Sequence, residues 1–421
     1  MLSSGASPIV SSPTVPSLRL GLSSGAFYPR LATENVPDAA ARLGVIDLEV
    51  MLQTRGEHEL AFIKQVATNS RDAGVTVHAL HTLQSLHPFI TPYPRRTKEA
   101  YDLFAQAIDA AVTLGARRIV WHGLTRKDAE APDAWERFIV IAADLSIACR
   151  DAGITLAVEN VSWCIVASVR EAMLLASRLP EIGPPDQIGF VFDTFQAAEA
   201  EANPFMMLAA MEGRIAHVHI SDFRAATPGA TRQRHLPAGD GDLPWSALLR
   251  AVANTGYSGP LISEGRLGDD PAVTLARIRD RIDPLLASLA NEGDPCAGTL
   301  PPGVLEGVRL FNARQFYECH EEIEHEWHAE RGPIRRLYQG ILQIGVGFHH
   351  ARSGNHRGAI LLLTDGIDKT ACFLPVCRGV DTGRLVAESQ SCLDQIVALG
   401  PDRLAEFDWD TVPFVTMVET V

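Results

Sequence analysis

The sequence predicts an α/β fold: a (β/α)8 barrel of parallel strands, followed by a small all-helical bundle. Between residues 18 and 289, short apolar runs rich in β-branched residues alternate with longer segments of helical periodicity. Eight strand-helix units in a segment of this length are typical of such a barrel, for which about 250 residues is usual. Beyond the Gly- and Pro-containing stretch 290–303 the periodicity is helical, with almost no strand signal. We therefore predict a barrel at 18–289, a linker at 290–303 and a helical domain at 304–421.

Glycines mark where several of the predicted helices end. Gly44, Gly74, Gly115 and Gly153 each follow a helical pattern and precede a strand, which is the position of a helix C-cap. A doubly wound open sheet would also alternate, but no glycine-rich phosphate loop follows the first strand, so the barrel is favoured. The predicted strands are Leu18–Leu22, Val45–Val50, Val75–Leu80, Arg118–Trp121, Thr155–Glu159, Ile188–Asp193, Ile215–Ile220 and Leu261–Glu264.

Composition limits the compartment and the partners. Residues 1–17 lack the basic start and apolar stretch of a secretory signal and are predicted to be a flexible tail. No apolar run approaches the roughly 18–20 residues that span a bilayer. The seven cysteines show no paired spacing, which favours a reducing cytoplasm over a disulfide framework. A net charge of −14 opposes binding to nucleic acid. We expect a cytoplasmic protein without membrane or nucleic-acid partners, and leave open whether it forms a homo-oligomer.

Acidic and histidine side chains lie at the ends of the last four predicted strands. Glu159 ends the fifth strand, Asp193 ends the sixth, His219 lies near the end of the seventh and Glu264 ends the eighth. The carboxyl ends of barrel strands surround one mouth, so these side chains should converge there. Several carboxylates in one cleft are costly unless a cation lies among them. Three carboxylates and an imidazole suit one divalent ion, with Mn²⁺ or Mg²⁺ favoured and Zn²⁺ or Co²⁺ as alternatives.

Six short motifs lie at the predicted strand ends or in the segments that follow them: Trp121-His122-Gly123, Glu159-Asn160, Phe192-Asp193-Thr194, His219-Ile220-Ser221-Asp222, His235 with Gly239-Asp240-Gly241, and Ser263-Glu264. With these motifs the chain resembles the xylose isomerase-like TIM barrels, which include sugar (phosphate) isomerases and epimerases and the endonuclease IV type of apurinic-site nuclease. The resemblance covers about Leu18 to Leu289. It implies that the four strand-end residues bind a single catalytic metal, as in the isomerases.

Two positions depart from the nuclease branch of this family, which holds three zinc ions. Gln196 stands where the nucleases have a histidine, and Gln233 stands where they have an aspartate. An amide oxygen is a much poorer Zn²⁺ ligand than an imidazole or a carboxylate, so a trinuclear phosphodiesterase site is disfavoured. Many sugar epimerases of the family also have a histidine at the position of Gln196, as a contact to substrate.

The resulting hypothesis is a metal-dependent isomerase or epimerase of a sugar, sugar phosphate or sugar acid, acting by proton transfer through an enediolate. Glu159 and Glu264 are the predicted catalytic residues, one as base and the other as acid. An endonuclease IV-like phosphodiesterase or other hydrolase is one alternative, and a non-catalytic ligand sensor regulated through the helical domain is another. The residues predicted to contact substrate are His81, His122, Gln196 and His235, with Arg224 and Arg266 for a phosphate or carboxylate group.

The helical domain resembles a bacterial family known only as domain of unknown function 309, over roughly Pro302–Leu363. That resemblance implies a fold but no activity. From spacing, His320 and Glu324 share one helix face, and Gln343 and His350 share a face of the next long helix. If the faces meet, these four side chains form a polar cluster. A hydrogen-bonded network that fixes helix register is favoured over a second metal or ligand site.

Overall fold

Eight parallel strands close into a barrel in the protein, which is described here by a computed structural model. The structure describes residues 18–82, 89–91, 93–226, 231–291, 295–330 and 332–418. The predicted tail at 1–17 lies outside the described residues. The eight barrel strands are β1 (Arg19–Ser23), β2 (Asp47–Met51), β3 (Thr76–His81), β4 (Arg118–Trp121), β5 (Thr155–Glu159), β6 (Ile188–Asp193), β7 (Ile215–Ile220) and β10 (Pro260–Ser263). Two further strands outside the barrel are β8 (Asp222–Arg224) and β9 (Gln233–Leu236).

The barrel order is β1-β10-β7-β6-β5-β4-β3-β2, and the predicted fold class is confirmed. The predicted bounds of β4 to β7 agree at both ends with those observed. Glu264 follows β10 by one residue instead of ending it. An antiparallel hairpin of β8 and β9 follows β7 in the chain and was not predicted.

Helices surround the barrel. Gly44, Gly74, Gly115 and Gly153 have φ of 70°, 68°, 73° and 72°, the left-handed conformation that a C-terminal glycine allows at low cost. The helices of this part are α1 (Val36–Arg42), α2 (Leu60–Asp72), α3 (Pro94–Leu114), α4 (Ala134–Asp151), α5 (Val169–Ile182), α6 (Thr194–Glu199), α7 (Pro204–Ala210), α8 (Trp245–Asn254) and α9 (Pro271–Asn291).

Strand alternation directs the polar strand ends into the barrel. Small apolar side chains on neighbouring strands form a cluster of their own, separate from the main core between strands and helices: Ala79, Val120, Ala157 and Val191 belong to it. The residue two positions further along each strand lies on the same face. That relation places His81, His122, Glu159 and Asp193 one layer above this cluster, at the carboxyl mouth of the barrel.

The described residues of the C-terminal part form five α-helices, which agrees with the predicted helical bundle. Two of its helices pack closely, with Gly340 of one helix facing Gly366 of the next. A Cβ atom at either position would clash with backbone atoms of the other helix. Within the described ranges, no helix is long and apolar enough to cross a membrane. The helices and the two short strands between the last two of them are α10 (Pro302–Asn312), α11 (Phe316–Ala329), α12 (Arg335–Arg352), α13 (His356–Ala371), β11 (Val376–Cys377), β12 (Val380–Asp381) and α14 (Thr382–Leu399).

One disulfide corrects the expectation drawn from cysteine spacing. Cys296, in the predicted linker, is bonded to Cys377 of β11, with an S–S distance of 2.14 Å. The backbone N–H of Arg378 also donates to the Cys296 carbonyl at 3.0 Å. The two cysteines are 81 residues apart, so no local spacing could indicate their pairing. Five other cysteines are buried free thiols.

Candidate metal centre

Four side chains from consecutive barrel strands meet at the mouth. One ligand atom each from Glu159, Asp193, His219 and Glu264 lies within 4.8 Å of the others. His219 is central: its Nδ1 lies 3.2 Å from Glu159 Oε1, 3.7 Å from Asp193 Oδ2 and 3.4 Å from Glu264 Oε2. The structure thus brings together all four residues that the sequence indicated as ligands.

The donor set fits a divalent cation. Asp193 Oδ2 and Glu264 Oε1 are buried and have no hydrogen-bond partner. Buried carboxylate oxygens without partners are costly, and a divalent cation among them would remove that cost. Three oxygen donors and one nitrogen donor suit Mn²⁺ or Mg²⁺, and Zn²⁺ or Co²⁺ as well.

Asp193 is held in place by its neighbours. Its Oδ1 accepts the backbone N–H of Gln196 at 2.7 Å and so caps α6. The Asn160 side chain bonds the Asp193 backbone twice, accepting from its N–H at 2.8 Å and donating to its carbonyl at 3.0 Å. One carboxylate oxygen is therefore fixed by the helix cap, and the other faces the cluster.

Glu49 is a residue of this centre that the sequence analysis missed. It lies on β2, is fully buried, and its Oε2 is 2.9 Å from His219 Nε2 and 3.0 Å from His217 Nε2. Ser23 donates its hydroxyl to the other carboxylate oxygen at 3.0 Å. A carboxylate behind a ligand histidine fixes the tautomer and orientation of the ring. An acid in the middle of an apolar strand and a His-x-His pair in β7 were the available signals.

A second group shares Glu159 with the first. His122 Nε2 lies 3.0 Å from Glu159 Oε2, and His81 Nε2 lies 3.4 Å from the same oxygen. The two histidine nitrogens are 3.1 Å apart. Each oxygen of Glu159 thus faces a different cluster. These histidines, predicted to contact substrate, are placed where they could also hold a cation.

Burial and the mutual charges of the cluster shift the pKa values of its members. Burial raises the pKa of Glu264, and neighbouring carboxylates outweigh the opposing effect of His219, leaving that pKa well above its usual range. Burial lowers the pKa of His219, but the surrounding carboxylates reverse the shift and hold it well above normal. Burial also opposes protonation of His81, yet the hydrogen bond to Glu159 and nearby carboxylates raise its pKa to about 9. A bound cation would displace such protons.

The other predicted substrate contacts divide into two sets. Gln196 is buried, and its amide oxygen accepts from the backbone N–H and the hydroxyl of Ser162 at 3.0 and 2.8 Å. His235 has φ of 49° and its ring lies 3.9 Å from that of Phe195, while burial lowers the pKa of its imidazole. Gln196 is linked to the cluster through its backbone N–H, which donates to Asp193, and His235 is close enough to feel the charges of Asp193 and Glu159.

The two predicted anion-binding arginines are exposed. The guanidinium of Arg224 donates to Gln233 at 2.8 Å and to the carbonyl of Asp240, so it supports the β8–β9 hairpin. Arg266 bonds His235 only through backbone, its N–H lying 3.3 Å from the His235 carbonyl. Gln233 is exposed as well, and its amide is engaged by Arg224.

The predicted polar cluster of the helical part is only partly assembled. His320 Nε2 is 3.8 Å from Glu324, and the buried oxygen of Gln343 has no hydrogen-bond partner. His350 does not join them, because its Nδ1 lies 3.0 Å from the Asn355 amide. His349 has the buried, unpartnered Nδ1 instead. Among the described residues, the three groups of side chains that could hold a metal all lie in the barrel.

Comparison with known proteins agrees with the barrel fold. The chain is 23% identical over 227 residues to the uncharacterized protein y4fM of Sinorhizobium fredii, covering 48% of this chain and 70% of that protein. It is 24% identical over 152 residues to the inosose dehydratase of Lacticaseibacillus casei, covering 33% of this chain and 49% of that protein. The solved structure of an L-ribulose 3-epimerase superposes with a TM-score of 0.52 at 20% identity, covering 65% of this chain and 95% of that one.

Two family descriptions match separate parts of the chain. Residues 304–362 match "Domain of unknown function (DUF309)". Residues 37–285, more than half of the chain, match "Xylose isomerase-like TIM barrel". The protein therefore belongs to the family of xylose isomerase-like TIM barrels.

Proposed function

We propose that the barrel is a sugar-modifying enzyme that transfers a proton at the carbon next to a carbonyl group, giving isomerisation or epimerisation. The observation that carries the proposal is the buried group of Glu159, Asp193, His219 and Glu264, with carboxylate oxygens that lack partners. The fold of the L-ribulose 3-epimerase and the likeness to an inosose dehydratase support a carbohydrate substrate.

In this proposal the same four residues hold one divalent ion, which would polarise the substrate carbonyl and stabilise the enediolate. Glu49 keeps the His219 ring oriented through its Nε2. His122 and His81 contact substrate hydroxyls above Glu159, and His235, whose ring packs on the buried Phe195, contacts the substrate from another side.

The two proposed acid–base groups approach from different sides. Glu159 ends β5 and Glu264 follows β10, and β6 and β7 lie between these strands in the barrel. One carboxylate therefore takes the C–H proton from one face of the planar enediolate, and the other returns a proton to the opposite face. Return by the same carboxylate restores the starting configuration or completes an aldose–ketose isomerisation.

A dehydratase is the second candidate, because the chain resembles an inosose dehydratase. Elimination of water begins with the same proton removal next to a carbonyl, and an acid then protonates the departing hydroxyl. The endonuclease-like alternative is less well supported, because Gln196 has its oxygen engaged by Ser162 and Gln233 is exposed on the hairpin.

The first test is metal content of the full-length chain, followed by incubation with ketoses and keto-inositols in D₂O. One tightly bound divalent ion, with deuterium entering next to the carbonyl, is the expected result. A product lighter by one water identifies the dehydratase instead. Two ions would indicate a second metal, which His81, His122 and Glu159 or Glu49, His217 and His219 could hold.

Matched variants make the test specific. Glu264→Gln should lose the ion and the exchange, whereas Glu136→Gln, an exposed glutamate paired with Arg178, should keep both. A chain that binds no divalent ion, or a Glu264→Gln variant with full exchange activity, contradicts the proposal. So does a metal-loaded protein that exchanges no proton of any ketose or keto-inositol in the panel.

A further inference from the structure

We propose that a cavity between the barrel and the helical part binds a small organic oxyanion. The cavity has a volume of about 570 Å³, which is the size of a metabolite site. Residues of α8 and α9 form one wall, and the start of α12 with the end of α13 forms the other. None of its lining residues belongs to the metal centre, so the inference stands independently of the proposed function.

Two arginines give the cavity its charge. Arg336 lines it, and its Nε is buried without a hydrogen-bond partner. Arg335 lines it beside Arg336; its Nε donates to the Trp327 carbonyl at 3.1 Å and its guanidinium lies 4.4 Å from the Trp327 ring centroid. Stacking on the indole fixes the plane of that guanidinium before any ligand arrives.

In the described part of the chain, neither arginine forms an ion pair, because neither guanidinium lies within 4 Å of a carboxylate. Asp368, whose carboxylate accepts a hydrogen bond from Asn203, attracts Arg336 from beyond that distance. Phosphate and carboxylate groups bind to paired guanidinium groups of this kind. The pair is half-buried in a chain whose net charge is −14.

The rest of the lining suits the body of such a ligand. Trp245, Leu285, Leu289 and Phe373 provide apolar surface, and the Gln339 amide adds a polar contact. The combination selects a molecule with an anionic end and an apolar or ring-containing end over a free inorganic ion. Arg250 also lines the cavity.

Trp245 connects this cavity to the barrel mouth. Its indole N–H donates to Asp222 Oδ2 at 2.7 Å, and Asp222 also accepts backbone N–H bonds from Gly239 at 2.9 Å and Leu243 at 3.2 Å. Asp222 stands three residues after the ligand His219. A ligand in the cavity therefore touches a side chain that is hydrogen-bonded to the loop following β7, and tryptophan emission can report its binding.

The full-length chain is titrated in EDTA with phenyl phosphate, with benzoate and with inorganic phosphate. Binding is measured by calorimetry and by tryptophan fluorescence. Saturable binding of phenyl phosphate or benzoate is expected, at least about tenfold tighter than inorganic phosphate. The two organic probes distinguish a phosphate from a carboxylate ligand. Equal or tighter binding of inorganic phosphate would overturn the assignment to an organic anion.

Charge-removing variants locate the site. Arg336→Gln should weaken binding of the organic anion about tenfold or more, and Arg335→Gln should do the same if Arg336→Gln fails to fold. Arg357→Gln, an exposed arginine of α13 outside the cavity, is the matched control and should bind normally. Unchanged affinity in a folded Arg336→Gln or Arg335→Gln protein, or no saturable binding of either organic probe, would refute the proposal.

Discussion

Replacing Glu49 with glutamine is expected to weaken binding of the divalent ion without unfolding the barrel. In the structure, Glu49 Oε2 faces the Nε2 atoms of both His217 and His219, and its Oε1 accepts from Ser23. Glutamine has the same shape and retains one acceptor oxygen, but it loses the negative charge. The charge makes His219 a better electron-pair donor through Nδ1, the atom that faces the other ligands.

The expected loss of metal affinity follows from the position of Glu49, which lies behind the proposed ligand His219. Removing a partner of a metal-binding histidine typically costs about 10- to 100-fold in metal affinity, or about 1.4–2.7 kcal/mol. Glu49 accepts from two imidazoles in a fully buried site, so screening by water is minimal and the upper half of that range is expected. Glu49→Ala should be worse, because it also leaves two buried imidazole N–H groups without an acceptor.

The assay is calorimetric titration of the EDTA-treated protein with Mn²⁺, together with its melting temperature in EDTA. Glu136→Gln provides the control, since Glu136 is an exposed glutamate on the outside of the barrel. If Glu49→Gln is folded and binds Mn²⁺ as tightly as the unmodified chain, Glu49 does not support the ligand and the reasoning is wrong. Equal losses in Glu49→Gln and Glu136→Gln would point to a nonspecific charge effect.

Two further predictions concern stability. The pKa of His81 is raised to about 9, and this shift contributes roughly 3 kcal/mol to the free energy of unfolding. The contribution is complete below about pH 6.5 and is lost as the pH rises through 9. Urea denaturation in EDTA should therefore show a less stable protein at pH 9.5 than at pH 7, and His81→Gln should reduce that difference; equal loss in both proteins would contradict the assignment. Gly340→Ala should destabilise the helical part by about 1–3 kcal/mol, because the new Cβ would lie 2.9 Å from Thr370 N. Gly383→Ala, whose Cβ would have its nearest neighbour at 3.5 Å, is the matched control, and a normal melting temperature for Gly340→Ala would refute the close packing of α12 on α13.

Much of the fold could be predicted because its signals are local. The alternation of apolar runs with helical segments, and glycines such as Gly115 with positive φ, depend on only a few neighbouring residues. The convergence of the four proposed ligands could also be predicted, because the carboxyl ends of all the strands in a parallel barrel face the same mouth. The bond between Cys296 and Cys377 and the β8–β9 hairpin depend on contacts that strand periodicity does not report.

The sequence by itself therefore determined the order of strands and helices and the placement of Glu159, Asp193, His219 and Glu264 at strand ends, since both follow from local periodicity and fixed barrel topology. Only the tertiary structure decided which partners each side chain has. Glu49 is far from His219 in the chain, and its role appears only when β2 and β7 face each other across the barrel interior. The cavity beside Arg336 likewise exists only because two parts of the chain pack together, and burial of their side chains depends on that packing.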